Sequence, residues 1–207
     1  MELGIWLSLL TVCLLGAMSP GPSLAVVVKH TLGGGRSHGL TTAWAHALGV
    51  GFYALLTILG LAVLLEQFPV AFKVIALLGA AYLAWLGVNA LRSKGGIAAK
   101  LAAGKSSTFS EAARDGAMIS LLNPKLALFF VALFSQFVAV GTGLTSQAII
   151  VATPLLVDGL WYTLIAFILS NPKVLERLKS NAIWIDKLSG VVLILLALRV
   201  VWQLSVM

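Results

Sequence analysis

Asp158 lies near the middle of an apolar stretch running from 144 to 170. A carboxylate there is too short to reach water along the helix, and an intramembrane acid marks function by default. Its candidate chemistry is to bind an ammonium group or carry a proton. The plainer readings are a structural pair with Lys125 or a carboxyl kept neutral by desolvation. Lys125 is a cation inside another apolar run. Position alone leaves it open between snorkelling to an interface and holding a carboxylate. Two proline motifs accompany these charges: Ser19-Pro20-Gly21-Pro22 and Asn123-Pro124-Lys125. Each proline lacks an amide hydrogen and clashes with the preceding turn, and Gly21 permits angles a helix does not use. The carbonyls freed near 16–18 must face protein, a polar cavity or a ligand, because an unpaired polar group in lipid costs several kcal/mol. One such break reads as a kink. Two in corresponding positions point to a binding site between broken helices. Asn123 is placed to bond a ligand or to hold the broken backbone.

Other polar side chains carry weaker signals. Trp161 and Tyr162 follow Asp158 and can wall a small apolar pocket, with packing the plainer role. His46, in "AWAHALGVGFY", lines a cavity or bonds a neighbouring helix, and the second reading is favoured. His30, His38 and His46 recur every eight residues, turning each by about 80° on a helix of 3.6 residues per turn. That is not metal-ligand spacing. Cys13, the single cysteine, permits no intrachain disulfide and reads as a small apolar residue. Gly33-Gly34-Gly35-Arg36-Ser37 lacks the lysine and spacing of a phosphate loop and reads as a flexible connection.

The elements that must position these residues are helices in a membrane. The 207-residue chain is 60% hydrophobic and 10% charged, with a net charge of +7. Long apolar segments recur from end to end. Six spans fit: 3–29, 40–65, 69–91, 112–140, 144–170 and 182–204. Each can cross a core of about 30 Å at about 1.5 Å per residue. The N-terminal run has no basic leader, and Pro20 would follow any cut after Ser19, so the segment is read as a retained first span.

Eleven Lys and Arg residues fall on one side: Lys29, Arg36, Arg92, Lys94, Lys100, Lys105, Arg114, Lys173, Arg177, Lys179 and Lys187. Lys73 and Arg199 fall on the other. This asymmetry puts loops 1, 3 and 5 in the cytoplasm and both termini outside it. It also accounts for the basic charge without nucleic acid, since no basic stripe with interleaved aromatics is present. The third loop, about 93–110, is basic and rich in Gly, Ala and Ser. It ends in a capping box, Thr108 with Glu111. Trp6, Trp85, Trp184 and Trp202 fall near span ends, as interface anchors do. Glycines at 49, 51, 60, 79 and 87 suit close helix contact.

The halves on either side of the third loop echo one another. "GPSLAVVV" (21–28) aligns with "NPKLALFF" (123–130), "GFYALL" (51–56) with "GLWYTL" (159–164), and "LGAAYLAWLG" more loosely with "LSGVVLILLA". Three spans per half invert the second half relative to the first. The expected fold is one transmembrane domain over 1–207. It is an all-α membrane protein of six helices in two inverted three-helix repeats, about 1–92 and 111–207, with helices 1 and 4 broken at the proline motifs.

"MSPGPSLAVVV", "LGAAYLAWLGVNALRS" and "FSEAARDGAMISLLNPKLALFFVALFSQFV" together resemble the LysE/RhtB family of amino-acid exporters. The similarity covers essentially the whole chain. The family's motifs map onto Pro20, Gly21 and Pro22 and onto Asn123, Pro124 and Lys125. Ser135 stands where members often have proline, and His46 where many are apolar or small. The resemblance implies an inner-membrane carrier that exports an amino acid or small derivative, driven by the proton gradient, with no cofactor. Lys125 would hold the substrate carboxylate, and Asp158 would meet its ammonium group or carry the coupling proton. A metal-ion exporter is the alternative within transport, supported only by the histidines and Asp158; a non-transport membrane scaffold needs neither paired breaks nor Asp158. An enzyme is not expected: paired cysteines and a His-Glu-x-x-His motif are both missing from the sequence. Substrate identity and any homo-oligomer are not encoded legibly.

Overall fold

The computed structural model describes residues 1–19, 21–93, 108–130, 137, 143–171, 173, 176–177 and 180–206. Pro20, most of the third loop, Ser135 and the later part of the fourth expected span lie outside the described residues. Eight helices are assigned within them: α1 (Leu3–Met18), α2 (Pro22–Gly34), α3 (Arg36–Gln67), α4 (Pro69–Arg92), α5 (Phe109–Leu121), α6 (Pro124–Phe129), α7 (Leu144–Leu169) and α8 (Ala182–Val206). The all-α expectation holds.

Both expected breaks are present. α1 ends at Ser19, whose extended backbone leaves the helical path, and α2 restarts with Pro22 in its first turn. The two axes differ by 61°. The second break lies at Leu122 and Asn123, between α5 and α6; Asn123 caps α6 by accepting the Lys125 backbone N–H, and Pro124 opens the helix. Proline suits that position because the first turn has no intrahelical use for its amide hydrogen.

Three local expectations change. Gly21 has φ −170° and ψ −165°, an extended backbone open to other residues, so the first break does not depend on glycine's conformational freedom. The glycine-rich stretch after α2 is a tight turn: Gly33 and Gly34 finish α2, and Gly35 alone, at φ 83°, links it to α3. That positive φ favours glycine. Trp6 is more than a span-end residue, because its indole N–H donates to Thr153 Oγ1 at 3.2 Å and ties α1 to α7. The capping box forms as expected: Thr108 accepts from the Glu111 backbone, and the Glu111 carboxylate accepts from the Thr108 backbone.

α3 packs on α2, α5 and α7, while α4 packs on α8. The α4–α8 crossing is set by glycine. A Cβ on Gly87 would lie 2.8 Å from the Gly190 carbonyl oxygen, and one on Gly190 would lie 2.7 Å from that of Gly87. A main apolar cluster joins Leu9 and Val12 of α1, Val50 of α3, Leu83 of α4, Phe130 and Ile150 to Leu196 of α8. The outside is equally apolar: Leu48, Leu59, Leu78, Leu160, Leu195 and Trp202 are exposed, whereas His46, Asn123, Lys125 and Asp158 are buried. Charged groups inside and leucine outside invert the soluble pattern and suit lipid. The segment Arg36–Gly60 and the helix Leu144–Leu169 are each long and apolar enough to cross a membrane, and the bent α1–α2 pair makes a third when counted as one span.

Candidate functional site

Asp158 comes from the middle of α7 and is 5% exposed. Its Oδ2 lies 2.7 Å from His46 Nδ1 of α3. The other ring nitrogen, Nε2, lies 2.8 Å from Ser23 Oγ in the first turn of α2. Ser23 Oγ also accepts from Asn123 Nδ2 at 3.1 Å. A continuous polar chain thus runs from α7 through α3 to both helix breaks, in an interior that would otherwise be costly for each of these groups. Tyr162, one turn after Asp158, sets its ring edge-on to His46 at 5.3 Å between centroids.

Lys125 sits beside this chain, 8% exposed. Its ammonium donates to the carbonyl oxygen of Ser19 at 2.7 Å, and its backbone N–H donates to Asn123 Oδ1 at 3.0 Å. It does not snorkel. A carbonyl released by the first break is satisfied by a cation from the second, so each interruption repairs the other. The Ser19 hydroxyl is buried and has no hydrogen-bond partner among the described residues.

These groups surround one cavity of about 30 Å³. Ser23, His46, Asn123, Lys125, Asp158 and Tyr162 give its polar lining; Cys13, Gly16, Val50, Phe129, Phe130 and Pro154 are among the rest. Such a volume holds about one or two waters and is too small for even alanine. Gly16 allows the closure at one wall, since a Cβ there would lie 2.6 Å from the Phe129 ring.

Most of the sequence-nominated residues converge. Ser19, Gly21 and Pro22 form the first break, and Asn123, Pro124 and Lys125 the second. Pro20 lies outside the described residues. Asp158 and Tyr162 reach the cavity, but Trp161 packs with Val27, Ala43 and Tyr162 instead. His46, favoured as a simple interhelical bond, is that bond and also a cavity wall. Ser23 was missed, although the alignment of the two proline motifs sets it opposite Lys125. Cys13 was taken as plain packing, yet it lines the cavity. A second polar cluster was also missed: Asp115 of α5 lies 2.8 Å from Lys29 Nζ and 3.0 Å from His30 Nε2 of α2. His38 stacks on Phe109 at 4.0 Å. Among the described residues, no three His, Cys, Asp or Glu side chains group closely enough to hold a metal ion.

The family model for the LysE type translocator matches residues 14–204. The chain belongs to the LysE type translocator family. This translocator is 30% identical over 179 residues to the threonine efflux protein of Salmonella typhi, covering 84% of this chain and 85% of the relative. It is 26% identical over 189 residues to the threonine efflux protein of Escherichia coli K12, covering 90% and 92%. It is also 28% identical over 184 residues to the membrane protein YrhP of Bacillus subtilis 168, covering 84% and 88%. No solved structure matches it. The family match takes in both breaks, His46 and Asp158, so the polar chain lies wholly within the translocator domain.

Proposed function

We propose that this translocator exports amino acids or small amino-acid derivatives from the cytoplasm, driven by the proton gradient. The observation that carries the proposal is a buried cation, Lys125, and a buried carboxyl group, Asp158, on the wall of one cavity where two broken helices meet. An amino acid presents the complementary pair. Its carboxylate takes the Lys125 ammonium from the Ser19 carbonyl, and Asp158 meets its ammonium group or carries the coupling proton. The names of the threonine efflux relatives support the same substrate class.

A cavity of about 30 Å³ has to enlarge to admit a substrate, which suits alternating access around the breaks. In this reading the chain makes six spans in two inverted repeats, with α1–α2 and the broken fourth span as counterparts. The two breaks support that symmetry. The basic loops face the cytoplasm and both termini lie outside it, in a cell's inner membrane.

The test is uptake of labelled amino acids, threonine first, into inverted membrane vesicles carrying the protein. Uptake that rises when the vesicle interior is acidified and collapses with a protonophore is expected. A full amino-acid panel showing no uptake above vesicles lacking the protein would overturn the reading.

A further inference from the structure

The polar chain has a direction, and one proton sets it. The Lys125 backbone N–H can only donate, so Asn123 presents Oδ1 to it and Nδ2 to Ser23. Ser23 Oγ therefore accepts from Asn123 in every state. Its second bond is to His46 Nε2 at 2.8 Å, while His46 Nδ1 faces Asp158 Oδ2 at 2.7 Å. With Asp158 ionised and His46 neutral, Nδ1 holds the ring proton and donates to the carboxylate. Nε2 then holds a lone pair, and Ser23 must give its only hydroxyl proton to it. The remaining acceptor position on Ser23 takes the Tyr162 hydroxyl proton, which leaves the lone pairs of the Tyr162 oxygen for the cavity.

One proton added to the His46–Asp158 pair reverses this bond. Whether it rests on the imidazole or on the carboxyl, Nε2 becomes an N–H when the carboxyl donates to Nδ1 or the ring is fully protonated. Nε2 then donates to Ser23, whose acceptor positions are filled by His46 and Asn123. The Ser23 hydroxyl proton is turned to the Tyr162 oxygen, and the Tyr162 proton is turned outward. Tyr162 lines the cavity beside Ser23, so the wall changes there from acceptor to donor.

We infer that Ser23 is the coupling residue of this site: through its bond with Tyr162 it offers a substrate ammonium group an acceptor when the His46–Asp158 pair lacks the proton and a donor when the proton is bound. This rests on the amino-acid export reading and gives it a reason for exchange, since proton and substrate ammonium exclude one another. The other titratable groups facing the pair are Cys13 of α1, Lys125 of α6 and Tyr162 of α7. The Tyr162 hydroxyl serves Ser23 as donor or acceptor, so it follows the direction set at His46. Ser23 is a positioning residue that acts on the substrate through Tyr162.

The experiment is calorimetric titration of threonine into the purified protein in lipid nanodiscs, from pH 5.5 to 8.5. Wild type is expected to lose about tenfold in affinity per pH unit below the pair's midpoint, the slope for one displaced proton. Ser23→Ala is expected to flatten that slope to under about half, and Ser23→Thr, which keeps the hydroxyl, to restore it. A merely structural role would weaken binding equally at every pH. Ser23→Ala with the wild-type slope, or a wild-type affinity independent of pH, overturns the inference while leaving export standing. No threonine binding at any pH overturns this inference together with threonine as the exported substrate. Imidazole nitrogen NMR on wild type needs no variant: His46 should show a bare Nε2 at high pH and an Nε2–H group at low pH. A neutral ring protonated on Nε2 at high pH would overturn the inference.

Discussion

The Lys125 ammonium lies 2.7 Å from the carbonyl oxygen of Ser19, across 106 positions of sequence. One helix break is thereby stitched to the other by a charged hydrogen bond rather than by packing alone. Lys125→Met removes the donor and keeps most of the stem. It leaves a buried carbonyl unpaired, at a cost of about 1–3 kcal/mol. The variant should melt earlier in detergent, followed by circular dichroism, and should lose amino-acid uptake in vesicles. Wild-type melting would show that the Ser19 carbonyl finds another donor at no cost.

Asp158→Asn separates charge from shape. Asparagine can still offer an oxygen to His46 Nδ1, so the interhelical bond between α7 and α3 survives. The substitution removes the negative charge and the proton site together. Folding, read by size-exclusion chromatography and thermal melting, should stay close to wild type, while transport in proteoliposomes should be abolished. Unchanged transport would eliminate the proposed role of Asp158.

The breaks were legible because proline acts on its own backbone. A missing amide hydrogen at Pro22 or Pro124 interrupts a helix whatever lies nearby, and the capping box at Thr108 is equally local. The partners across the cavity were not legible. His46 meets Asp158 across 112 positions, and no spacing within one helix encodes that distance. Lys125 could be read as snorkelling or as buried because the answer depends on where the chain at Ser19 comes to lie. The partner of Trp6 was equally hidden, since its bond to Thr153 spans 147 positions. Ser23 was hidden by ordinariness, since serine beside proline is common at helix starts.

The crossing of α4 and α8 should be intolerant of any side chain. At Gly190 an added methyl would meet the Gly87 carbonyl oxygen at 2.7 Å and the Leu91 backbone nitrogen at 2.9 Å. Backbone cannot swing aside as a flexible side chain does, so the helices must separate. Gly190→Ala is expected to destabilise by about 1–3 kcal/mol, the usual cost of overpacking. Gly60→Ala in α3 is the control, because a Cβ there meets nothing within 4 Å. It should be neutral or slightly stabilising through helix propensity. Equal melting of the two variants would refute glycine-dependent packing at the crossing.

At the start of α5, Glu111 accepts the Thr108 backbone N–H at 2.7 Å. That bond, and then the Thr108 hydroxyl, holds the Glu111 carboxyl below the ordinary glutamate range. A depressed folded value means that the box supports the helix above the unfolded pKa and loses that support as pH falls through the folded one. Carboxyl-carbon NMR should therefore find Glu111 titrating below the ordinary glutamate range. Thr108→Val removes the hydroxyl and should raise the Glu111 midpoint part of the way back. No change in that midpoint would leave the backbone bond alone responsible.

Cys13 offers a report on the cavity itself. It is the sole cysteine, lies on the lining and is 5% exposed. Alkylation by a maleimide therefore requires the cavity to open beyond about 30 Å³. If the Lys125–Ser19 bond holds the two breaks together, losing it should favour open conformations. A loss of about 1 kcal/mol from the closed state raises a minor open population about fivefold. Folded Lys125→Met protein should thus be alkylated about five times faster than wild type, or more, by mass spectrometry. Cys13→Ser should take no label. Equal rates in folded wild type and Lys125→Met would mean that this bond does not govern access, and that closure depends on other contacts, such as the Phe129 ring against Gly16.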